Sequence, residues 1–147
     1  MSSNIIRIYA PMVADLFHRG HVEFLRAAKS IVPGETYLII GLYSDVVTES
    51  YKRKPIFSLE DRAVLVRACR YVDEVIVGAP LVVTEKFLDE YRIDYFVHGD
   101  DLILHDALVS SYKVAFDRGI MKCPPYYEGI STTSIIRKIC DAYQKSD

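Results

Sequence analysis

The sequence predicts an α/β fold, a doubly wound parallel sheet formed by one domain over residues 1–147. Short apolar runs alternate along the chain with segments in which apolar residues recur at helical spacing. The run Tyr37–Leu42 is apolar throughout, as expected of a strand buried on both faces of a parallel sheet. The 147 residues contain no internal repeat and no low-complexity linker, and this length suits one domain with a sizeable core.

In the first half of the chain, turn and capping residues set the predicted boundaries. Pro33-Gly34 ends the first helical pattern, and Ser58, with Asp61 three positions later, is a capping signature. The predicted elements are a strand Ile5–Tyr9, a loop Ala10–His18, a helix to about Ser30, a strand Tyr37–Leu42, a helical turn capped by Ser44, a basic loop Lys52–Pro55, and a helix from Ser58 to about Tyr71.

The second half continues the alternation of strands and helices. Thr84 is a candidate N-cap, and Gly119 follows a helical segment where a helix would stop. The predicted elements are a strand Glu74–Val77, a helix Glu85–Tyr91, a strand Tyr95–His98, a helix Ala107–Arg118, a strand Met121–Cys123, and a helix from Thr132 or Thr133 to about Gln144.

Composition and charge exclude several classes of function. The net charge is −2, so neither nucleic acid nor an anionic membrane is an expected partner. Three cysteines without a CxxC pair predict reduced thiols, and no signal-peptide pattern opens the chain. The longest apolar run, Tyr37–Tyr43, is far shorter than the roughly 18 residues that span a bilayer. These features predict a cytoplasmic protein.

The segment Asp15–His21, with the sequence DLFHRGH, predicts an anion-binding helix start. Unpaired N–H groups and the positive end of the dipole attract anions there, and Gly20 would let a phosphate approach the backbone. His18 and His21 stand three residues apart, so both can face one bound group. Capping or surface roles for the two histidines are the competing interpretation, and a structural zinc would need four ligands.

Four distinctive loops follow predicted strand ends. Because ligands of open α/β sheets sit outside the carboxyl ends of the strands, these loops are expected to meet at one site. The loops are Ala10–His21, Gly41–Asp45, His98–Asp101 and Cys123–Thr133.

Three segments of the chain resemble the cytidylyltransferases, within the wider nucleotidylyltransferase superfamily. Asp15–His21 resembles the HxGH signature, and Arg70–Val75 and Glu128–Thr133 match the second and third sequence blocks of that family. Ala79-Pro80, Leu88–Tyr91 and Val97–Asp101 look most like the ethanolamine-phosphate branch. The similarity runs from about Ile6 to Tyr143 and implies a Rossmann-like fold of the HxGH nucleotidylyltransferase type.

The resemblance implies transfer of a cytidylyl group from CTP to a small phosphomonoester, with release of pyrophosphate. His18 and His21 would donate hydrogen bonds to the CTP phosphates. Lys52 would bridge the donor and acceptor phosphates; Lys54 is an alternative, and so is a merely solvated basic loop. Mg²⁺ would accompany the triphosphate, held by substrate oxygens and water. The Arg70–Val75 segment implies a homodimer contact, or simply a helix end that feeds a strand.

The resemblance also implies nucleotide- and substrate-binding residues. The expected nucleotide-binding residues are Val13, Ala14, Gly20, His98, Asp100, Asp101, Gly129, Ser131, Thr132 and Thr133. The expected substrate-binding residues are Asp15, Arg62, Leu81 and Tyr112. Structural alternatives are open for several of them: N-caps for the hydroxyl residues, turn formation for the Asp pair, backbone hydrogen bonds for Asp15 and an exposed helical position for Arg62.

The chain departs from the cytidylyltransferase pattern at three positions. Met12 stands where a glycine is usual, and Tyr126 stands where an arginine near the nucleotide is usual. Leu81 replaces the tryptophan of choline-using members, and loss of one aromatic wall weakens binding of a quaternary ammonium by about 0.5–2 kcal/mol. Ethanolamine phosphate is therefore the predicted acceptor. The alternatives are glycerol 3-phosphate or choline phosphate as acceptor, adenylyl transfer, and a non-catalytic nucleotide-binding protein.

Overall fold

The computed structural model describes residues 4–144, which form a five-stranded parallel sheet with helices on both faces. The strand order is β3-β2-β1-β4-β5. The strands are β1 (Ile6–Met12), β2 (Thr36–Leu42), β3 (Glu74–Val77), β4 (Tyr95–Val97) and β5 (Met121–Lys122). The predicted doubly wound α/β class is confirmed, and the strand order reverses between β1 and β4.

The helices follow the strands in the predicted alternation. They are α1 (Arg19–Lys29), α2 (Asp45–Glu49), α3 (Leu59–Arg67), α4 (Glu85–Glu90), α5 (Asp106–Ser111), α6 (Lys113–Asp117) and α7 (Thr132–Gln144). A short 3₁₀ helix covers Asp100–Leu104. The predicted N-caps are confirmed, because the side chains of Ser44, Ser58 and Thr84 accept hydrogen bonds from the first turns of α2, α3 and α4. Among the described residues no helix is long and apolar enough to cross a membrane.

Alternate residues of the central strands feed two separate cores. Ile8 of β1 and Leu38 of β2 pack with Leu25 of α1 and with α3, whereas Tyr9 and Ile39 point to the opposite face. That second core contains residues of α4, α5 and α6. Period-two alternation therefore divides each strand between two helix layers, which explains why β2 is apolar throughout.

The helix predicted to run from Ser58 to about Tyr71 ends at Arg67. Two further predicted boundaries are wrong. The helix predicted for 107–118 breaks at Tyr112, whose fully buried side chain contacts the hydroxyl of Tyr43. The first strand continues beyond Tyr9 to Met12, so it includes Pro11. Its pairing with β4 stops at Tyr9, so the proline lies where that side of the strand is open. At both positions tertiary packing, rather than the local sequence pattern, determines where the helix or strand ends.

Candidate active site

A cavity of about 560 Å³ opens at the carboxyl ends of β1 and β4, where the strand order reverses. Twelve of the predicted site residues line it: Val13, Ala14, Asp15, His18, Gly20, His21, Lys52, His98, Asp101, Ser131, Thr132 and Thr133. The convergence expected from the loop positions is therefore present. Five other predicted residues, Asp100, Gly129, Arg62, Leu81 and Tyr112, lie outside the lining.

The two histidines of the HxGH segment form a reciprocal cap at the start of α1. Nδ1 of His18 accepts a hydrogen bond from the Gly20 N–H at 2.9 Å. Nδ1 of His21 accepts one from the His18 N–H at 3.1 Å. A ring nitrogen that accepts from a backbone N–H carries no proton, so in both neutral rings the proton is on Nε2. The backbone thus fixes both imidazoles as hydrogen-bond donors through Nε2.

The surroundings of the histidines keep the rings neutral. Burial lowers the pKa of His18, and burial, followed by the charges of His18 and Lys52, lowers the pKa of His21 to about 3. The ring centroids of the two imidazoles are 3.9 Å apart, and Phe17 stacks on His21 at 5.5 Å. Capping and anion binding were rival interpretations, but a cap through Nδ1 leaves Nε2 available for a ligand.

Acidification from pH 7 to pH 5 is expected to lower the free energy of unfolding by roughly 2 kcal/mol through His21. The pKa of His21 is about 3 in the folded protein and roughly 6.5 when unfolded, so between these values only the unfolded chain binds the proton. The stabilisation is therefore complete above the unfolded pKa and is lost as the pH falls toward 3. Urea unfolding at both pH values should show a smaller loss in His21→Asn. Equal losses in the two proteins would contradict this assignment.

Gly20 leaves no room for a side chain. A Cβ there would lie 2.7 Å from Cε1 of His18 and 3.1 Å from the carbonyl oxygen of Ile130. The glycine therefore permits the His18 ring to fold back over the helix start. This role concerns the cap, and it is additional to the close phosphate approach expected from the sequence.

Asp15 is buried, and its carboxylate holds two loops together. Oδ1 accepts hydrogen bonds from the N–H groups of Leu16 and Phe57, and Oδ2 accepts from the N–H of Ile56 at 2.8 Å. The structural alternative for Asp15, hydrogen bonding to backbone N–H groups, is thus confirmed, although the residue also lines the cavity. The same loop strains its backbone, since Ala14 has φ 58° and Leu16 has φ 48°.

Lys52 and Arg53 bring positive charge to the cavity from the loop after α2. Desolvation of the ammonium, and then the charge of Arg53, lower the pKa of Lys52. Lys52 as a whole is exposed, so water still reaches the side chain. The sequence prediction included Lys52 but missed Arg53, whose only sequence signal was its place in the Lys-Arg-Lys run.

The start of α7 forms the opposite wall of the cavity. Ser131 caps the helix, because its Oγ accepts a hydrogen bond from the Ser134 N–H at 3.0 Å. Thr132 Oγ1 donates to the Asp15 carbonyl oxygen at 3.0 Å, and Thr133 Oγ1 accepts from Arg53 Nη2 at 3.3 Å. The hydroxyls thus have structural partners, while the N–H groups of the first helical turn lack intrahelical acceptors. That turn can receive phosphate oxygens through its backbone.

His98 has the opposite tautomer to His18 and His21. Its Nδ1 lies 3.1 Å from the Gly99 carbonyl oxygen, which can only accept, so Nδ1 carries the proton. Burial lowers the pKa of His98, and the neutral ring therefore presents Nε2 as an acceptor. Asp101 lies beside it, with 3.8 Å between Oδ1 and Nδ1 of His98. This part of the cavity accepts hydrogen bonds, whereas the HxGH part donates them.

Two predicted nucleotide-binding residues lie behind the cavity lining. Asp100 begins the 3₁₀ helix, and its Oδ1 accepts a hydrogen bond from the Tyr126 N–H at 2.9 Å. This matches the structural alternative for the Asp pair. Gly129 packs against the ring of Tyr127, where a Cβ would meet the hydroxyl at 2.6 Å. Both residues position the segment that carries Tyr126 and Tyr127, which do line the cavity.

The prediction that Arg62 binds substrate is wrong, and so is the alternative of an exposed position. Its side chain has no solvent exposure, and Nη1 donates at 2.8 Å to the carbonyl oxygens of both Val13 and Tyr43. Nε donates to the Phe57 carbonyl oxygen, and Nη2 pairs with Asp45 at 2.7 Å. Arg62 fastens together the loops that build the site.

Leu81 and Tyr112, which were predicted to bind the acceptor, lie outside the cavity lining. Leu81 packs against the core on the α4 side of the sheet, and Tyr112 is fully buried there. The Tyr112 hydroxyl bonds to the hydroxyl of Tyr43, which is also buried but contributes to the cavity lining, as does the partly buried Tyr51. Sequence reasoning missed both Tyr43 and Tyr51. Tyr43 directly follows a buried strand, where an aromatic residue is typical of the core, and Tyr51 lies after α2 and belongs to no recognised motif.

The cavity lining offers few side-chain ligands to a metal ion. Within residues 4–144 no group of three or more His, Cys, Asp or Glu side chains could hold a metal ion. Asp15 and Asp101 are the lining carboxylates, and Asp15 already accepts three backbone hydrogen bonds. Mg²⁺ brought by a bound triphosphate would thus be held through phosphate oxygens and water, and it would neutralise part of the triphosphate charge.

Comparison with known proteins gives a family model and curated relatives. A model described as cytidylyltransferase-like matches residues 11–138. Choline-phosphate cytidylyltransferase A of Mus musculus is 40% identical over 138 residues, which cover 94% of this chain and 37% of that protein. Ethanolamine-phosphate cytidylyltransferase of Dictyostelium discoideum is 40% identical over 138 residues, which cover 91% of this chain and 38% of that protein. The chain therefore spans less than half the length of either relative.

A solved structure shares the fold. The lipopolysaccharide core biosynthesis protein from Thermoplasma volcanium superposes with a TM-score of 0.65 at 23% identity. The match covers 84% of this chain and 100% of that chain. At this identity the likeness concerns the fold alone.

Proposed function

This chain belongs to the cytidylyltransferase-like family, and we propose that it transfers a cytidylyl group from CTP to a small phosphomonoester, releasing pyrophosphate. One observation carries the proposal. Two imidazoles fixed as Nε2–H donors, the ammonium of Lys52 and the start of α7 surround a single cavity of about 560 Å³. This is a set of donors and positive charge suited to a triphosphate and a second phosphate.

The proposed reaction needs positioning and charge stabilisation. An oxygen of the acceptor phosphate attacks the α-phosphorus and forms a new P–O bond. The bond to the bridging oxygen breaks, and its electron pair leaves with pyrophosphate. The attacking oxygen is already anionic, so no general base is needed. His18 and His21 donate to the negative charge that develops, and Lys52 bridges the two substrates' phosphates.

We infer that the acceptor is ethanolamine phosphate. A primary ammonium donates hydrogen bonds, and the carboxylate of Asp101 and Nε2 of His98 are acceptors in the cavity wall. A quaternary ammonium favours aromatic faces instead, and the partly buried Tyr51 in the cavity lining makes choline phosphate the competing acceptor. The relatives include enzymes named for each acceptor at equal identity. Glycerol 3-phosphate is the third candidate.

A homodimer is part of the proposal. The Arg70–Val75 segment leads into β3, which is an edge strand, and Val64 and Leu65 of the preceding α3 are exposed at 58% and 37%. An open strand edge beside exposed apolar residues suits a second copy of the chain. Sedimentation equilibrium at micromolar concentration tests this, and a monomer would contradict it.

Pyrophosphate release tests the proposed activity. CTP and ATP are each combined with ethanolamine phosphate, choline phosphate and glycerol 3-phosphate in the presence of Mg²⁺. Turnover is expected with CTP and ethanolamine phosphate. Faster turnover with another acceptor would correct the acceptor, and turnover with ATP alone would overturn the nucleotide. CTP binding without turnover of any acceptor would favour a non-catalytic nucleotide-binding protein.

A further inference from the structure

The cavity needs more positive charge at its α7 end than the HxGH histidines supply. His18 and His21 are neutral donors, because burial lowers the pKa of both. Among the described residues that line the cavity, Lys52 is the one lysine and Arg53 is the one arginine. Two carboxylates also line the cavity. In the proposed reaction, Lys52 lies between the phosphates of the two substrates. The terminal phosphates of a triphosphate would then lack a cationic side chain unless Arg53 supplies one.

Arg53 reaches across the cavity mouth to the start of α7. Its Nη2 donates to Thr133 Oγ1 at 3.3 Å, although 80 residues separate the two in sequence. The guanidinium carries five N–H donors in a planar fork, so one long contact to a hydroxyl leaves most of its donors for a ligand. It therefore lies next to the backbone N–H groups of the first α7 turn, which also attract anions.

The loop that carries Arg53 is held at a fixed distance from α7. Asp15 accepts hydrogen bonds from Ile56 and Phe57 on the loop side, and its own carbonyl oxygen accepts from Thr132 on the α7 side. One residue thus ties the loop to the helix start through both its side chain and its backbone. This connection holds the backbone of the loop beside the start of α7, within reach of the Arg53 side chain.

We propose that Arg53 binds the β- and γ-phosphates of the nucleotide, together with the start of α7. The inference rests on the proposed function and adds a nucleotide-binding residue to it. Arg53 takes the place of the arginine usual at position 126, where this chain has a half-exposed tyrosine that also lines the cavity. A cation absent from one wall of the cavity is thus provided from the facing loop.

Calorimetric titration of the full chain with CTP, tripolyphosphate and CMP, each with Mg²⁺, tests the proposal without turnover. Arg53→Ala is expected to weaken CTP and tripolyphosphate binding by roughly 10- to 100-fold, since a charge-assisted bidentate contact to phosphate is lost. CMP lacks the terminal phosphates, so its affinity should stay within about twofold. Arg53→Lys should recover part of the loss, because it restores the charge but not the planar fork.

Arg137→Ala is the matched control. It removes the same side chain and charge from an exposed position on α7 that does not line the cavity, so CTP affinity should stay within about twofold. Tyr126→Arg in the Arg53→Ala background is expected to restore most of the lost affinity. Equal CTP affinity in wild type, Arg53→Ala and Arg137→Ala would overturn the role of Arg53 and leave the proposed function intact. Failure of wild type to bind either CTP or tripolyphosphate would overturn both.

Discussion

His21→Ala is expected to lower kcat by about 10²–10³-fold, equivalent to about 2.7–4 kcal/mol of activation free energy. The backbone N–H of His18 occupies Nδ1 of His21 and so fixes the proton on Nε2, where the ring can donate to the charge that develops in the transition state. The buried ring is neutral at pH 7, so its contribution is a positioned hydrogen bond rather than a full charge. Steady-state pyrophosphate release with saturating CTP and acceptor measures the effect.

His21→Asn separates catalysis from helix capping. The Asn side-chain oxygen can replace Nδ1 as the acceptor for the His18 N–H, but no group of the side chain reaches the Nε2 position. This variant is expected to melt near wild type and to lose as much turnover as His21→Ala. Wild-type turnover in folded His21→Asn would remove His21 from the catalytic residues. Loss of turnover matched by loss of the folded state would instead assign it to the cap.

Arg62→Ala is expected to lower the free energy of unfolding by about 3–5 kcal/mol, a large fraction of the roughly 5–15 kcal/mol available to a domain. The substitution leaves three carbonyl oxygens and the carboxylate of Asp45 without their donor in a buried region. It also opens a cavity, since Arg62 is among the largest fully buried side chains. Urea denaturation followed by circular dichroism measures the loss.

Two further variants identify the origin of the Arg62 effect. Arg62→Lys keeps the charge but cannot donate to three carbonyl oxygens and Asp45 at once, so about half of the loss is expected to persist. Asp45→Asn removes one partner that is itself partly exposed, so its cost should be about 1 kcal/mol or less. If Arg62→Ala costs less than Asp45→Asn, the buried carbonyl contacts are not what holds these loops. Residual CTP binding in folded Arg62→Lys would further support a structural role.

The sequence determined the fold and the place of the site, because both depend on local pattern. Alternation in the strands and N-caps at Ser44, Ser58 and Thr84 set the order of elements. The order of elements in turn brings the loops after β1 and β4 to one edge of a parallel sheet. The HxGH segment and the block ending at Thr133 indicated the cytidylyltransferase family, which the comparisons confirmed.

Only the tertiary structure decided what individual polar side chains contact. The local sequence does not distinguish the roles of Arg62 and Arg53. Arg62 is buried against carbonyl oxygens from separate loops, whereas Arg53 reaches the start of α7. Tyr112, expected to bind the acceptor, is fully buried against the hydroxyl of Tyr43 and lies outside the cavity lining. A polar side chain takes the partner that best offsets its loss of water, and that partner is commonly distant in the chain. Sequence periodicity predicts which face of a helix or strand a residue occupies. The donor or acceptor that its side chain contacts is set only when the loops pack together.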